Sequence, residues 1–265
     1  MWNKLFNYLG LAVAYFGFNF KAQLEYRTAF VSQSFAMFLN DCIWLVYFIM
    51  FFDRFNVLKG WHAEDVATLW AVTAAGFGIG HSLFGNSLGL ARIIANGDLD
   101  GWLLYPRALL PHVVLGKMSA SSFGDAIFGY VVYLVVVKPD LPHFLLFTAL
   151  TCSVALLFLG FSVLTGSLSF FIGNGDSLSE GWRNALIAFS TYPMDLFDGK
   201  TKLLLLTIIP AAYVSGFPVE ALRKLSLLHA AYSLLGALAV VATAAIVFHL
   251  GLRRYESGNM VAMRG

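Results

Sequence analysis

The sequence predicts an all-α polytopic membrane protein with six transmembrane helices. Two observations predict this. Of 265 residues, 59% are hydrophobic types and only 12% are Asp, Glu, Lys or Arg, about half the charged share of soluble domains. A single core of this size cannot hide so much apolar surface, and too few charges remain to keep the chain in water. A bilayer resolves both difficulties. The second observation is that apolar stretches of spanning length, about 20 residues, recur along the chain.

Trp2, Leu5, Phe6, Leu9, Val13, Phe16 and Phe20 recur at steps of three and four, which is one stripe of a helix. Lys4, Lys21, Glu25 and Arg27 are scattered among them, with no compact apolar region and cleavage site, so the segment is not expected to be a cleaved signal. Residues 1–27 read as an interfacial helix leading into the first span. The alternative is an amphipathic core helix. Residues 28–265 read as one transmembrane domain, with spans at about 30–52, 66–90, 112–137, 144–170, 182–198 and 227–250. The second span carries the pairs Gly76/Gly80 and Gly85/Gly89, a spacing that lets helix backbones approach closely in lipid.

The region before the last span is broken. Pro193 interrupts 182–198, and Pro210 and Pro218 punctuate 200–218. Either segment could be the fifth crossing. One reading makes 182–198 the span and 200–218 a re-entrant region, which survives at membrane depth only where protein or water covers it; the other makes 200–218 the span and gives the stronger charge bias. Lys and Arg beside the spans give a slight excess on the side holding both termini, which places that side in the cytoplasm.

The net charge of +2 and the lack of a basic run with interleaved aromatics argue against nucleic acid as a partner. Cys42 and Cys152 lie in apolar stretches and are expected to be buried reduced thiols. No metal-ligand spacing occurs, and no catalytic nucleophile–base pair or carboxylate dyad stands out. A phosphate cradle needs GxxxxGK(S/T). Gly199-Lys200-Thr201 is the one GK(S/T) tripeptide, and Met194 stands where the motif needs glycine. No cofactor is therefore expected in this chain.

Two sets of residues carry the functional expectations. Between the second and third spans, ARIIANGDLDGWLLYPRALLP places Arg92, Asp98, Asp100 and Arg107 around an apolar run of Leu99, Trp102, Leu103, Leu104 and Tyr105. Such a segment lies at the membrane surface, either docking a cytosolic partner or merely connecting spans. Within the spans, Asp41 (beside Asn40) and Asp125 fall at about the same depth at 1.5 Å per residue. An intramembrane carboxylate is costly and faces a cavity or a partner. One reading is a path for a cationic, partly apolar cargo, lined by Asp41, Asp125, Asn40 and Trp44 and bordered also by Tyr47 and Phe128. The other is a structural hydrogen bond to Asn40, Ser121, Ser122 or Asn86, or a pairing with Lys117.

Gly97 to Pro106, GDLDGWLLYP, resembles the Gly-(Glu/Asp)-Leu-Asp-x-x-Leu-Leu-x-Pro segment after the second span of type-2 ATP-binding-cassette (ABC) exporter permeases, most closely the subgroup with bacterial viologen exporters. Two further patches are similar: TYPMDLF with IIPAAY (Thr191 to Tyr213) and GLRRYESG (Gly251 to Gly258). The resemblance implies an N-terminal interface helix, six spans, a coupling helix between spans two and three, and a re-entrant region before span six. It implies a permease subunit of an exporter in a bacterial inner membrane. Two cytosolic ABC ATPase subunits would bind the ATP and Mg, and a second permease, identical or related, would complete the complex. A membrane-embedded transferase or a non-transporting assembly subunit are the alternatives.

Overall fold

The computed structural model describes the backbone of residues 2–55 and 60–255, and the side chains of 10–51, 54 and 60–255. Trp2, Leu5, Phe6 and Leu9 of the N-terminal stripe and Glu256 to Gly258 of the tail patch lie outside those side chains. The described chain is helical throughout, with no strand.

Helix α1 (Trp2–Glu25) turns at Tyr26 into α2 (Arg27–Phe55), and α3 (Ala63–Leu83) returns. A 3-10 turn at Gly85–Gly89 leads to three short helices, α4 (Leu90–Ala95), α5 (Leu99–Leu103) and α6 (Leu109–Leu115). Helix α7 (Ser122–Val132) ends in a π turn, Tyr133–Val137, before α8 (Leu141–Gly166). Then come α9 (Ser169–Ile172), α10 (Asp176–Ser190), α11 (Gly199–Thr207), α12 (Phe217–Lys224) and α13 (Leu227–Leu252). Helix α3 sits between α7 and α8, with α2 outside α7 and α13 outside α8; α10 and α12 pack across this layer.

Among the described residues, four helices are long and apolar enough to cross a membrane: Arg27–Phe51, Ala63–Leu83, Leu141–Ile172 and Leu227–Leu252. The pair Gly199–Thr207 and Ala212–Lys224 makes a fifth apolar unit, bent by 80°, as a broken span or a re-entrant loop would be. Pro210 sits at the bend, where a missing N–H forbids a continuous helix. The stretch expected as the fifth span instead forms α10, which begins earlier, at Asp176, and stops at Ser190. Cys152 is a correction: it is exposed on α8 rather than buried, because an apolar side chain on the rim of a membrane helix can face lipid.

The stretch expected as one continuous third span is interrupted between α6 and α7. The reason is tertiary capture of its backbone. Asn86 Nδ2 donates to the Val113 carbonyl and Asn19 Nδ2 to that of Leu115, both at 2.9 Å. Ser34 Oγ donates to the Ala120 carbonyl at 2.7 Å, and the Ser119 N–H donates to the His81 carbonyl at 3.2 Å. Irregular backbone at membrane depth is tolerated where protein satisfies it in this way.

The same capture fixes α1. Asn19 is buried, Tyr15 Oη lies 2.9 Å from His112 Nδ1, and Phe20 packs on Phe30 and Phe123. Val13 and Phe16 remain exposed. Helix α1 therefore has one face on protein and one apolar face free, the arrangement an interfacial helix needs.

The glycine pairs divide. A Cβ on Gly76 or Gly80 would collide with Val154 or with the Ala155 backbone of α8, so this pair packs α3 against α8 within the chain. Gly89 has open space around it and serves no close packing here.

Contacts at the α3 N-terminus collect distant segments. Trp61 Nε1 donates to Asp195 Oδ2 at 3.0 Å, and Lys202 Nζ lies 3.8 Å from Asp195 Oδ1. Arg223 donates to both carboxylate oxygens of Asp65 at 2.6 Å. The start of α11 and the end of α12 thus lie at one end of the bundle, the end where α3 begins. At the other end, Arg92 of α4 meets Asp176 at the start of α10, and Phe170 packs on Phe248 near the end of α13.

Candidate functional site

Helix α2 is mostly exposed, with one narrow buried stripe of Ser34, Asp41, Leu45 and Phe48. That stripe docks on α7. A Cβ on Gly124 would lie 2.1 Å from the Ser34 carbonyl oxygen, so only glycine lets the two backbones approach there. Two turns along α2 from Ser34, Asp41 comes opposite Asp125, the residue after Gly124. The two carboxyl groups interact directly. Both residues are buried, with Asp41 7% and Asp125 4% exposed. Among the described residues, Asp41 Oδ2 has no hydrogen-bond partner.

Asn40, Asp41, Trp44 and Asp125 line one cavity of about 520 Å³, together with residues of α3 and α10 such as Trp70, Phe77 and Asn184. Trp44 is 49% exposed, and with the exposed Asn40 it forms the cavity's rim on the outer side of α2. The structural alternatives mostly have other partners. Asn86 is committed to Val113, and Ser121 and Ser122 both bond Ser119. Asn40 does reach Asp41. A cavity with two facing carboxyl groups and aromatic walls is suited to hold a polar or cationic group on an apolar body.

Trp70, Phe48, the α10 residue Asn184 and Tyr192, just beyond α10, also line this cavity and were not singled out from the sequence, whereas Tyr47 and Phe128 are not among its lining residues. Trp70 and Phe48 read simply as span residues. Their indole and phenyl faces meet, with centroids 5.1 Å apart, only because α2 and α3 pack.

The segment from Arg92 to Arg107 is anchored from within. Leu99 is fully buried with Leu90, Ile94, Val113 and Phe248. Trp102 closes over Gly116 and stacks edge-on to His112. Leu103, Leu104 and Tyr105 are exposed, Leu104 at 85%. The exposed Asp98 and Arg107 flank them. Arg92 donates through Nε and Nη2 to Asp176 Oδ2 at 3.1 and 2.7 Å. This pairing separates Arg92 from the other three. The half-buried Asp100 lies beside Tyr255 at the end of α13. Burial first, then the Asp100 carboxylate, push the Tyr255 hydroxyl up to about 12. An exposed apolar strip with charged ends, held by a buried base, is the kind of surface that meets a partner protein or a membrane.

Residues 38–259 match the model of the ABC-2 family transporter proteins. The chain belongs to that family. No curated protein and no solved structure matches the chain. An ABC-2 transporter protein of this kind is a multi-pass membrane component, typically not itself catalytic, and membership implies an ABC ATPase as partner. Among the described residues of this ABC-2 chain, no group of three or more His, Cys, Asp or Glu could hold a metal ion.

Proposed function

We propose that this chain is the permease subunit of an ABC exporter, moving an amphipathic or cationic substrate across or out of a bacterial inner membrane. ATP and Mg are bound by two cytosolic ATPase subunits, and a second permease, identical or related, completes the complex. The observation that carries the reading is the bare strip Leu103 to Tyr105, flanked by Asp98 and Arg107 and anchored by the buried Leu99. That strip is the docking surface for the ATPase, with Asp100 and Arg92 bracing it. It resembles the coupling segment of type-2 exporter permeases, and its GDLDGWLLYP run is similar to that of the viologen-exporter subgroup.

The topology that fits is six crossings with both termini cytoplasmic. The contacts support it. Asp195, Lys202 and Arg223 all gather at the end where α3 begins, so α11 and α12 leave and return on one side. Helix α10 starts at the opposite end beside Arg92. Its chain then reaches Asp195, and so completes a crossing although α10 itself is only 15 residues long. The re-entrant unit is then α11 with α12, and α13 is the sixth span. Asn40, Asp41, Trp44 and Asp125 line the substrate path, open sideways along α2.

The test is reconstitution. The chain, co-expressed with the ABC ATPase encoded beside it, should co-purify with that ATPase and support ATP-dependent flux in proteoliposomes. Co-purification without flux for any amphipathic cation tried would favour an assembly subunit, and failure to co-purify would reject the reading.

A further inference from the structure

Buried polar atoms are nearly always paired in a folded protein, and the exceptions call for an explanation. Four buried side-chain polar atoms lack a hydrogen-bond partner among the described residues: Asp41 Oδ2, Trp70 Nε1, Ser190 Oγ and Tyr255 Oη; two of them, on Asp41 and Trp70, belong to residues that line one cavity. Asp41 and Trp70 line the cavity between α2, α3, α7 and α10, and Ser190 immediately precedes the lining residue Thr191. The fourth, Tyr255 Oη, lies at the far end of α13. Asp41 and Trp70 share one cavity wall, which gives their unpaired atoms a common place to meet a partner from outside the chain.

The chemistry of the wall defines that partner. Asp41 Oδ2 is an acceptor without a donor. The Asp125 carboxyl meets the Asp41 carboxyl directly, and two such groups avoid repulsion by sharing a proton or by taking a cation alongside. A group that supplies both a charge and N–H donors answers both needs at once; a protonated amine has both. A quaternary ammonium has the charge and no donor, and a neutral alcohol has the donor and no charge. Trp44, Phe48 and Phe77 supply aromatic surface along the same cavity, and such faces attract cations and flat apolar bodies. The volume of about 520 Å³ suits a small ligand.

We propose that this cavity binds amphipathic amines that keep at least one N–H, the nitrogen donating to Asp41 Oδ2 beside the Asp41–Asp125 pair and the apolar body along Trp44, Phe48 and Phe77. The assignment rests on the reading of this cavity as the substrate path and narrows the cargo to N–H amines over quaternary cations and neutral amphiphiles.

The test uses the permease with its ATPase in nanodiscs and three probes that differ only at the head: 2-phenylethylamine, its N,N,N-trimethyl derivative, and 2-phenylethanol. Binding is read from tryptophan fluorescence and from thermal stabilisation. The amine should bind about tenfold tighter than either analogue. Asp41→Asn and Asp125→Asn should each abolish that preference, and Trp70→Phe should weaken amine binding without removing the preference. Equal binding of the amine and its trimethyl derivative, or no binding of the amine, overturns the assignment. Export lost in Asp41→Asn without any amine preference in the parent protein leaves the path reading standing and sinks this one. Amine preference with ATP-dependent flux unaffected by Asp41→Asn upholds the site and rejects the path.

Discussion

Arg92 and Asp176, 84 positions apart in sequence, share one carboxylate oxygen through two guanidinium nitrogens. The bond ties α4, at the root of the exposed strip, to the first turn of α10. Helix α10 in turn supplies Asn184, Ile187 and Ala188 to the cavity wall. A push on the strip therefore has a mechanical route to the cavity. The contact draws the Arg92 guanidinium further up from its ordinary range, Asp176 being the cause.

If that route couples hydrolysis to transport, Arg92→Ala and Asp176→Ala should each lower the substrate exported per ATP hydrolysed several-fold. Pairs this exposed add little stability, so the melting temperature should hardly move. Exchanging the charges, with Arg92→Asp and Asp176→Arg together, should restore part of the coupling. Unchanged stoichiometry in both single variants would remove the pair from the mechanism.

The docking strip makes a separate prediction. Asp98 is exposed, so Asp98→Ala should weaken association with the ATPase without lowering thermal stability. Asp100 sits beside Tyr255, so Asp100→Ala should also loosen the end of α13. Leu104→Ser, at the most exposed point of the strip, should reduce co-purification most. Charge-paired contacts across an interface cost roughly 2 to 5 kcal/mol when one partner is removed. The double variant Asp98→Ala with Asp100→Ala should therefore lose most assembly at micromolar concentrations. Full assembly of that variant rejects the contact.

Much of this arrangement was legible in the chain because hydropathy and helix rise act locally. Asp41 and Asp125 could be placed at one depth from residue counts alone, and both do line one cavity. The interruption before α7 was not legible. It depends on Asn19, Ser34 and Asn86 reaching carbonyls far along the chain, and no local pattern marks an asparagine as such a donor. The extent of α10 was missed for a related reason. Its first turns, DSLSEGWRN, are polar, and they are helical at the bundle's end where Arg92 holds Asp176. Arg92 itself read as one of a set with Asp98 and Arg107, since a sequence shows charge without showing its partner.

Sidedness can be read by labelling. In a background with Cys42→Ser and Cys152→Ser, a cysteine at Leu141, which is 69% exposed, should react with a membrane-impermeant maleimide added outside cells. A cysteine at Gly258, beyond the described residues, should react only after permeabilisation. A cysteine at Lys200 should follow Leu141, because α11 starts at the end where α3 begins. Labelling of position 200 with position 258 instead would turn Gly199–Lys224 into a true crossing.

The path reading is tested at its carboxyl groups. Asp41→Asn and Asp125→Asn keep size and remove charge, so each should cut export at least tenfold while ATPase binding stays intact. A structural role predicts loss of yield or of melting temperature in place of a specific transport defect. Export and melting should be measured on the same preparations. Full export by both purified variants would leave the two residues as packing groups.

The clasp at the α3 N-terminus offers a stability test independent of transport. Arg223 grips both oxygens of Asp65, bonds Glu220 at 3.2 Å and lies over the Trp61 ring at 4.1 Å. Both Arg223 and Asp65 are mostly shielded, with side chains 24% and 17% exposed, so this pair is worth more than an open surface pair. Hydrogen bonds to charged groups contribute about 1.5 to 3 kcal/mol, and Arg223→Ala should lose about 2 kcal/mol. Lysine cannot reproduce the planar fork or the stacking on Trp61, so Arg223→Lys should recover less than half. In a double-mutant cycle with Asp65→Asn, the two losses should fall short of additivity by about 1 kcal/mol or more, as expected for directly coupled groups. Additive losses would mean that Arg223 and Asp65 act separately, and the α11–α12 unit would then owe its position to Trp61 and Asp195 alone.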